Sequence, residues 1–478
     1  MPQMNLVGEW GMTTSTVKGT DVFCARDGRV RIEWLSACRK ERALTQDLMS
    51  DVAELGNLVA ALRQVMRNGG RGGIDEMETV ALQDWFSSNY KSLQTELQTG
   101  LYRPSPVVGV SIPKPNGGNR TLGIPTVKDR LVQQAIHQVL SKHYDPSFSE
   151  HSYGFRPNRS AHDALRAGAE QVASGYDHVV DLDLAQFFDR VNHDRLIWLL
   201  STRIGDGVLL GLIGKFLRSG ILQDGLISQR LSGTPQGSPL SPLLSNIVLD
   251  ELDKELERRG HRFVRYADDI IILSRSHKAA VRVKSSVTRF ITERMKLTVS
   301  ASKSRICRPY QLNFLGHSIL SQGRLGLSKA SEDRFWKRLT QLTRRNRGVS
   351  LDRLINELNP ILRGWLQYFR YACMDKRLER IEGRLKRRLR CYRLKQCKRA
   401  LGIARFLMKQ GVPEWRSWIT AVSGKGWHRL SGSPSVHEAM NNKWFATMGL
   451  FSMVGYYRSN FKETALYVRR TQGGVRGR

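Results

Sequence analysis

The stretch Arg262-Phe-Val-Arg-Tyr-Ala-Asp-Asp-Ile-Ile-Ile-Leu273 is two apolar half-strands interrupted by a pair of acids. Extended chain on either side of Asp268 and Asp269 makes a hairpin with its carboxylates at the tip. Adjacent carboxylates repel each other, and a divalent cation is the simplest relief. Upstream, His178-Val-Val-Asp-Leu-Asp-Leu184 alternates with period two. That places Asp181 and Asp183 on one strand face, with Val180, Leu182 and Leu184 on the other. Acids on an apolar strand cost stability unless they are paired, hydrogen-bonded or metal-bound. Three carboxylates from two strands are the donor set that a two-ion phosphoryl-transfer site needs. Mg²⁺ suits it, because this ion takes one or two carboxylates and completes its shell with water and substrate phosphates.

Working outward, residues 107–125 alternate and contain Pro113, Pro115 and Gly117-Gly118, which predicts two strands joined by a turn. Helical spacing dominates 48–101, 126–142 and 160–174, with a break at the Gly-rich turn of residues 68–73. Between the acids lies Ser232-Gly-Thr-Pro-Gln-Gly-Ser-Pro-Leu-Ser-Pro242, a Gly/Pro turn entering a helix. These elements predict an α+β domain over 48–325, with helices between and after the strands that carry the acids. Residues 326–410 read as all-helical and 411–478 as a small, basic, Trp-rich domain. Residues 1–47 have weak periodicity and read as a poorly ordered extension.

The chain has 478 residues and a formal charge of +33. Residues 1–330 carry 43 basic and 33 acidic side chains, and residues 331–478 carry 33 and 10. Within Arg384–Arg399 nine of sixteen residues are Lys or Arg, with Leu385, Leu389, Tyr392 and Leu394 interleaved. The expectation is a basic helix with one narrow packed face. Counterion release makes such a surface bind phosphate backbones, so nucleic acid is the expected partner. The six cysteines form no Cys-x-x-Cys pair, which argues against a zinc ribbon or a disulfide scaffold. No apolar run approaches a membrane span and no secretory signal is visible, so a soluble protein of the cytoplasm is expected, with no membrane partner.

In this order the motifs resemble a reverse transcriptase, and among these the proteins encoded by bacterial group II introns. Ile112-Pro-Lys-Pro-Asn-Gly-Gly-Asn-Arg-Thr-Leu122 is similar to the fingers hairpin of that family. Ser152-Tyr-Gly-Phe-Arg-Pro-Asn-Arg-Ser160 resembles the segment that follows it. Asp183-Leu-Ala-Gln-Phe-Phe-Asp189, Gly233-Thr-Pro-Gln-Gly-Ser-Pro-Leu-Ser-Pro242 and Tyr266-Ala-Asp-Asp269 resemble successive palm motifs. Lys303 and Phe314-Leu-Gly-His317 resemble the later palm motif and the primer-grip strand, and Gly364-Trp-Leu-Gln-Tyr-Phe369 the maturase, or thumb, signature. The resemblance implies a right-hand polymerase, its fingers and palm built on an antiparallel palm sheet with helices, followed by an all-helical thumb and the small basic C-terminal domain.

By position, it implies that Asp183, Asp268 and Asp269 hold two Mg²⁺ ions, with Mn²⁺ as a substitute, while Asp181 falls outside the motif. Phe188 would sit beneath the incoming sugar and exclude a 2′-OH, with Phe187 the other ring able to do so. Lys114 and Arg120 would bind the triphosphate, Gln236 and Gly237 would pack against the nascent base pair, and Lys303 would contact phosphate or assist proton transfer. The implied partners are group II intron RNA, target DNA with a primer strand, and deoxynucleoside triphosphates. Arg384, Lys386, Arg387, Arg388, Arg390 and Arg393 are the candidate nucleic-acid contacts, and the tail tryptophans offer stacking platforms. No Cys follows Cys397, so the Cys/His-rich endonuclease of some relatives looks absent, as in class C introns. Two rival expectations remain: a host-domesticated reverse transcriptase in defence or repair, and an RNA-binding splicing factor without polymerase activity.

Overall fold

The structure is a computed structural model and describes residues 15–17, 20–22, 47–113, 119–223, 226–228, 232–235 and 237–461. Its strands are β1 (Ser15–Val17), β2 (Thr20–Val22), β3 (Val107–Pro113), β4 (Asn119–Ile124), β5 (His178–Asp183), β6 (Ile221–Gln223), β7 (Leu226–Ser228), β8 (Arg262–Tyr266), β9 (Asp269–Ser274), β10 (Arg305–Cys307), β11 (His317–Ile319) and β12 (Leu325–Leu327). Apart from the antiparallel β1–β2 pair, the expectation of a poorly ordered extension lies outside the described residues. The chain divides into two compact units, one of residues 1–143 and 191–247, the other of residues 144–190 and 248–478.

The first unit carries a four-stranded sheet in the order β4-β3-β6-β7. Its β3–β4 hairpin is antiparallel from Val108↔Ile124 to Pro113↔Asn119, at the place where alternation predicts two strands and a turn. The same unit carries helices Leu55–Asn68, Leu82–Gln98, His193–Ser201 and Gly207–Arg218, each with one buried apolar stripe. The first ends in Gly69 at φ 60° and Gly70 at φ 109°, conformations that cost glycine little and stop the helix. A buried carboxylate, Asp129, ties the unit together by accepting from the Tyr102 hydroxyl at 2.9 Å, the Thr126 hydroxyl at 2.7 Å and the Ser105 amide at 3.1 Å.

The second unit is built on the antiparallel sheet β10-β5-β9-β8. One face packs Val179, Ile271, Leu273 and Val264 with Ala164, Leu165 and Ala169 of helix Ala161–Ala173. The opposite-facing Val180, Leu182, Ile270 and Ile272 are also fully buried. Burial on both faces is why β9 reads as an unbroken apolar run after its acid rather than as an alternation. The carboxylates emerge where this covered sheet ends.

The helices after β12 share one core. Leu354, Leu358, Leu385 and Leu389 pack with Val412, Leu430, Met440, Phe445, Met453 and Tyr457. The Gly/Pro break near residue 411 is therefore a turn, with Gly411 at φ 88°, and not a gap between hydrophobic cores. Residues 411–461 fold back onto the helices that precede them, and the rest of the tail lies outside the described residues. No helix among the described residues is long and apolar enough to cross a membrane.

Candidate active site

Asp183 ends β5 and Asp269 begins β9, and the two are register partners across the antiparallel pair. Asp268 sits in the turn between β8 and β9, one residue after Ala267, which has φ 56°. A left-handed residue here sharpens the turn and presents two successive acids at the hairpin tip. The segment 298–304 holds Asp183 from the other side. Its Ser300 amide donates to the Asp183 carbonyl at 2.8 Å, and the Asp183 amide donates to Ser304 Oγ at 3.0 Å. That brings Lys303 Nζ to 3.2 Å from the Asp183 carboxylate.

Charge on these acids is incompletely compensated. Burial first, then Asp268, Asp181 and Asp183, push Asp269 up to about 7. Asp268 is raised as well, by burial and by Asp183. Carboxylates that raise one another in this way are arranged for a cation. An all-oxygen donor set is what a hard divalent ion takes, so the residues fit Mg²⁺ or Mn²⁺. As the side chains stand, no three His, Cys, Asp or Glu among the described residues converge into a ready-made metal cage, and Lys303 supplies the nearby positive charge. Asp181, by contrast, is a strand residue paired with Arg305 Nε at 3.5 Å, consistent with its lying outside the motif.

The hairpin is supported by residues that sequence reasoning missed. Arg265 and Asp253 form an ion pair with both side chains fully buried, the Arg265 Nε donating at 2.8 Å. Another guanidinium nitrogen of Arg265 donates to the Ala267 carbonyl at 3.2 Å, fixing the turn that carries the acids. The signal was present: Arg265 is a charged residue at an inward position of an apolar strand, which demands a buried partner. Gly154 supports the same turn, because a Cβ there would overlap the backbone nitrogen of Ala267.

Phe187 is core, only 2 % exposed, while Phe188 packs edge-on against it at 5.4 Å and stays half-buried. Of the two rings, Phe188 is the one with surface left for a substrate. In the first unit Gly237 is exposed at φ 110°, and a Cβ there would press on the Gly123 carbonyl at 3.0 Å. Arg120 is paired with Ile112 in the hairpin, its side chain outside the described residues, as are Lys114 and Gln236. The turn of Phe314–His317 closes on itself and receives the Tyr368 hydroxyl on the Leu315 carbonyl at 3.0 Å. Tyr368 belongs to the stretch read as the thumb signature, so that stretch is anchored on the segment read as the primer grip.

The basic helix corrects the expectation of a narrow packed face. Helix Asp375–Gln396 buries Ile381, Glu382, Leu385, Leu389, Arg390, Cys391, Tyr392 and Leu394, which is more than a stripe. Arg390 is 6 % exposed, lies over the Phe445 ring at 5.5 Å and donates to the Met440 carbonyl at 3.0 Å. It holds the tail helices and is not open to a phosphate. Arg388 donates to Thr343 Oγ1 at 2.6 Å, and Lys386 pairs with buried Glu382 at 2.6 Å. Arg393 is half-buried over the Phe406 ring at 4.7 Å, leaving Arg384 and Arg387 as the exposed members of the expected set. Three of the tail tryptophans, Trp418, Trp427 and Trp444, are half-buried, the last two against the core, and Trp415 is 66 % exposed.

Residues 112–319 match the family of reverse transcriptases (RNA-dependent DNA polymerases), and residues 333–411 match the group II intron maturase-specific domain. Protein YkfC of Escherichia coli K12 is 31% identical over 324 residues, covering 59% of this chain and 84% of that protein. The group II intron-encoded protein LtrA of Lactococcus lactis subsp. cremoris is 32% identical over 303 residues, and the chain spans 50% of its length. The COX1/OXI3 intron 2 protein of Saccharomyces cerevisiae is 28% identical over 57% of the chain and 38% of its own length. A reverse transcriptase domain implies divalent-metal-dependent nucleotidyl transfer, and the maturase domain implies binding to intron RNA. With its palm acids on one antiparallel sheet and a maturase-specific helical region after it, this chain belongs to the group II intron-encoded reverse transcriptases.

Proposed function

We propose that this protein copies RNA into DNA and also acts as a maturase, binding the RNA of its own group II intron to assist splicing and to support mobility by target-primed synthesis. The observation that carries the reading is the register pair Asp183↔Asp269 with Asp268 at the adjoining hairpin tip, on a chain that also bears a maturase domain. Asp183, Asp268 and Asp269 would hold two Mg²⁺ ions, which would supply activation of the attacking 3′-oxygen and stabilisation of the leaving pyrophosphate.

The chain's own residues do the rest. The β8–β9 turn, held by the buried Arg265–Asp253 pair, keeps Asp268 and Asp269 fixed while substrate and product exchange. Lys303 is placed to neutralise Asp183 between turnovers and to turn toward a phosphate oxygen when the acids are otherwise compensated. Phe188 closes the floor where the incoming sugar lies and selects the deoxynucleoside triphosphate. Lys114 and Arg120 are assigned to the triphosphate, and Gln236 and Gly237 to the nascent base pair, by their place in the motifs. Target DNA and its primer strand are the further substrates, and the cytoplasm, where intron RNA is made in a bacterium, is the site of action.

The test is primer extension on an RNA template with Mg²⁺ and then Mn²⁺. Asp268→Ala should lower extension by roughly three orders of magnitude or more, as losing a metal ligand does, while intron RNA binding is retained. Full extension by Asp268→Ala would end the two-ion assignment. Extension by the wild-type chain without any effect on splicing of a flanking intron would remove the maturase role.

A further inference from the structure

The thumb region carries a cavity of about 500 Å³ well apart in sequence from the palm acids. Three elements build its wall. The loop after helix Lys329–Leu342 contributes Thr343 to Asn346, helix Asp375–Gln396 contributes Arg388, Cys391 and Lys395, and the short helix Trp427–Leu430 contributes Trp427 and His428. Arg388, Cys391 and Lys395 stand at i, i+3 and i+7, one face of one helix, so that wall of the cavity is fixed by the helix.

Its chemistry is one-sided. Arg344, Arg345, Arg388 and Lys395 line it, and no carboxylate is among the described lining residues. Like charges gathered in a concavity raise the local potential and draw anions in. The cations already feel one another, since Arg388 is lowered first by burial and also by Arg345. Arg388 is held in place by its bonds to Thr343 and Thr340, the latter at 3.0 Å, so one guanidinium is oriented before any ligand arrives. Trp427 adds an aromatic wall, with part of its ring packed against the core. A phosphate alone would need only the cations. Cations beside an aromatic surface, in a space of this size, match a phosphate joined to a base.

We infer that this cavity binds a single unpaired nucleotide, its phosphate on Arg344, Arg345, Arg388 and Lys395 and its base against Trp427. The inference rests on the reading of the chain as an RNA-binding protein and goes beyond it by naming what the thumb distinguishes. Basic surfaces bind any duplex through its phosphates, whereas a cavity that takes one base selects RNA in which a base has left its stack. The same chemistry is offered by a free nucleotide, and the experiment separates the two sources.

The full chain is titrated by fluorescence anisotropy against a fully paired RNA stem and the same stem with one unpaired adenosine. The wild type should prefer the second by about 10-fold, near the low end of what one stacked base contributes. Trp427→Leu and Arg345→Gln should reduce the preference to about twofold or less, while Trp427→Phe and Arg345→Lys keep it. Thermal unfolding of each variant identifies any that fail to fold. Independently of the variants, 2-aminopurine at the unpaired position should lose fluorescence on binding the wild type. Displacement by micromolar ATP would support the cavity and assign it to free nucleotides, and displacement only by the unpaired RNA assigns it to a strand. Displacement by pyrophosphate as effective as by ATP would show an anion site without base recognition and overturn the inference. Equal affinity for both stems with normal salt-dependent binding overturns the cavity alone, and no binding to either stem overturns the RNA-binding reading with it.

Discussion

Phe187 and Phe188 are adjacent and chemically identical, and the sequence left open which ring faces the sugar. Burial decides it. Phe187 is in the core at 2 % exposure and Phe188 retains surface. Phe188→Ala should therefore admit ribonucleotides, raising their use relative to deoxynucleotides by roughly 10-fold or more, the value of one removed steric block. Competition between the two nucleotide types in primer extension measures it. Should ribonucleotide use rise only in Phe187→Ala, the sugar lies on the other ring. The acids were legible for a different reason. Alternation put Asp181 and Asp183 on one strand face, and it was the resemblance of the motifs that grouped Asp183 with Asp268 and Asp269, which the register Asp183↔Asp269 brings side by side. Arg265 and Asp253 were not legible as a pair, because one lies on a strand and the other on a helix and no local spacing links them. Their partnership exists only in the packed fold.

At the level of the element, the Phe314–His317 turn shows what a strand end can conceal. His317 is fully buried against Tyr368 at 5.7 Å and Phe369 at 4.8 Å, with its Nδ1 on the Leu315 carbonyl at 3.0 Å. Its other ring nitrogen has no hydrogen-bond partner among the described residues. Burial pushes the imidazole down to about 4. The unfolded chain takes up this proton near pH 6.5 and the folded chain does not until near pH 4, so stability is full above the unfolded value and falls as pH drops between the two. At pH 5 the loss is about 2 kcal/mol relative to neutral pH. Urea unfolding at pH 7 and pH 5 should show it, and His317→Phe should remove that part of the pH dependence. An unchanged pH difference in the variant would place the titrating group elsewhere. The motif could be read in the sequence, whereas the sealed ring could not, since the Tyr368 that covers it comes from a helix fifty residues on. Helix Asp375–Gln396 was misread in the opposite direction. Nine cations in sixteen residues read as a basic helix with one narrow packed face, yet long basic side chains can bury their stems and place their heads on carbonyls, as Arg390 does on Met440.

Across the whole molecule the +33 charge remains the property most directly tied to the partner, and the fold now separates the cations that can reach a phosphate from those that cannot. Arg384, Lys398 and Arg399 are exposed, while Arg390 is buried among the tail helices. Each cation that meets a phosphate releases counterions, so log K falls with log[salt] by about 0.7–0.9 per contact. Replacing Arg384, Lys398 and Arg399 with Ala should therefore flatten the slope for intron RNA by up to about 2.7, with the thermal midpoint little changed. Arg390→Met should do the reverse. It leaves the Met440 carbonyl without its donor and empties a packed position, at a cost of about 1–3 kcal/mol, while the slope stays as in the wild type. Binding isotherms at four or five salt concentrations, beside unfolding curves for the same proteins, distinguish the two kinds of cation. A slope that flattens in Arg390→Met, or one that is unchanged in the triple variant, would mean that this basic segment meets RNA through cations other than those the fold exposes.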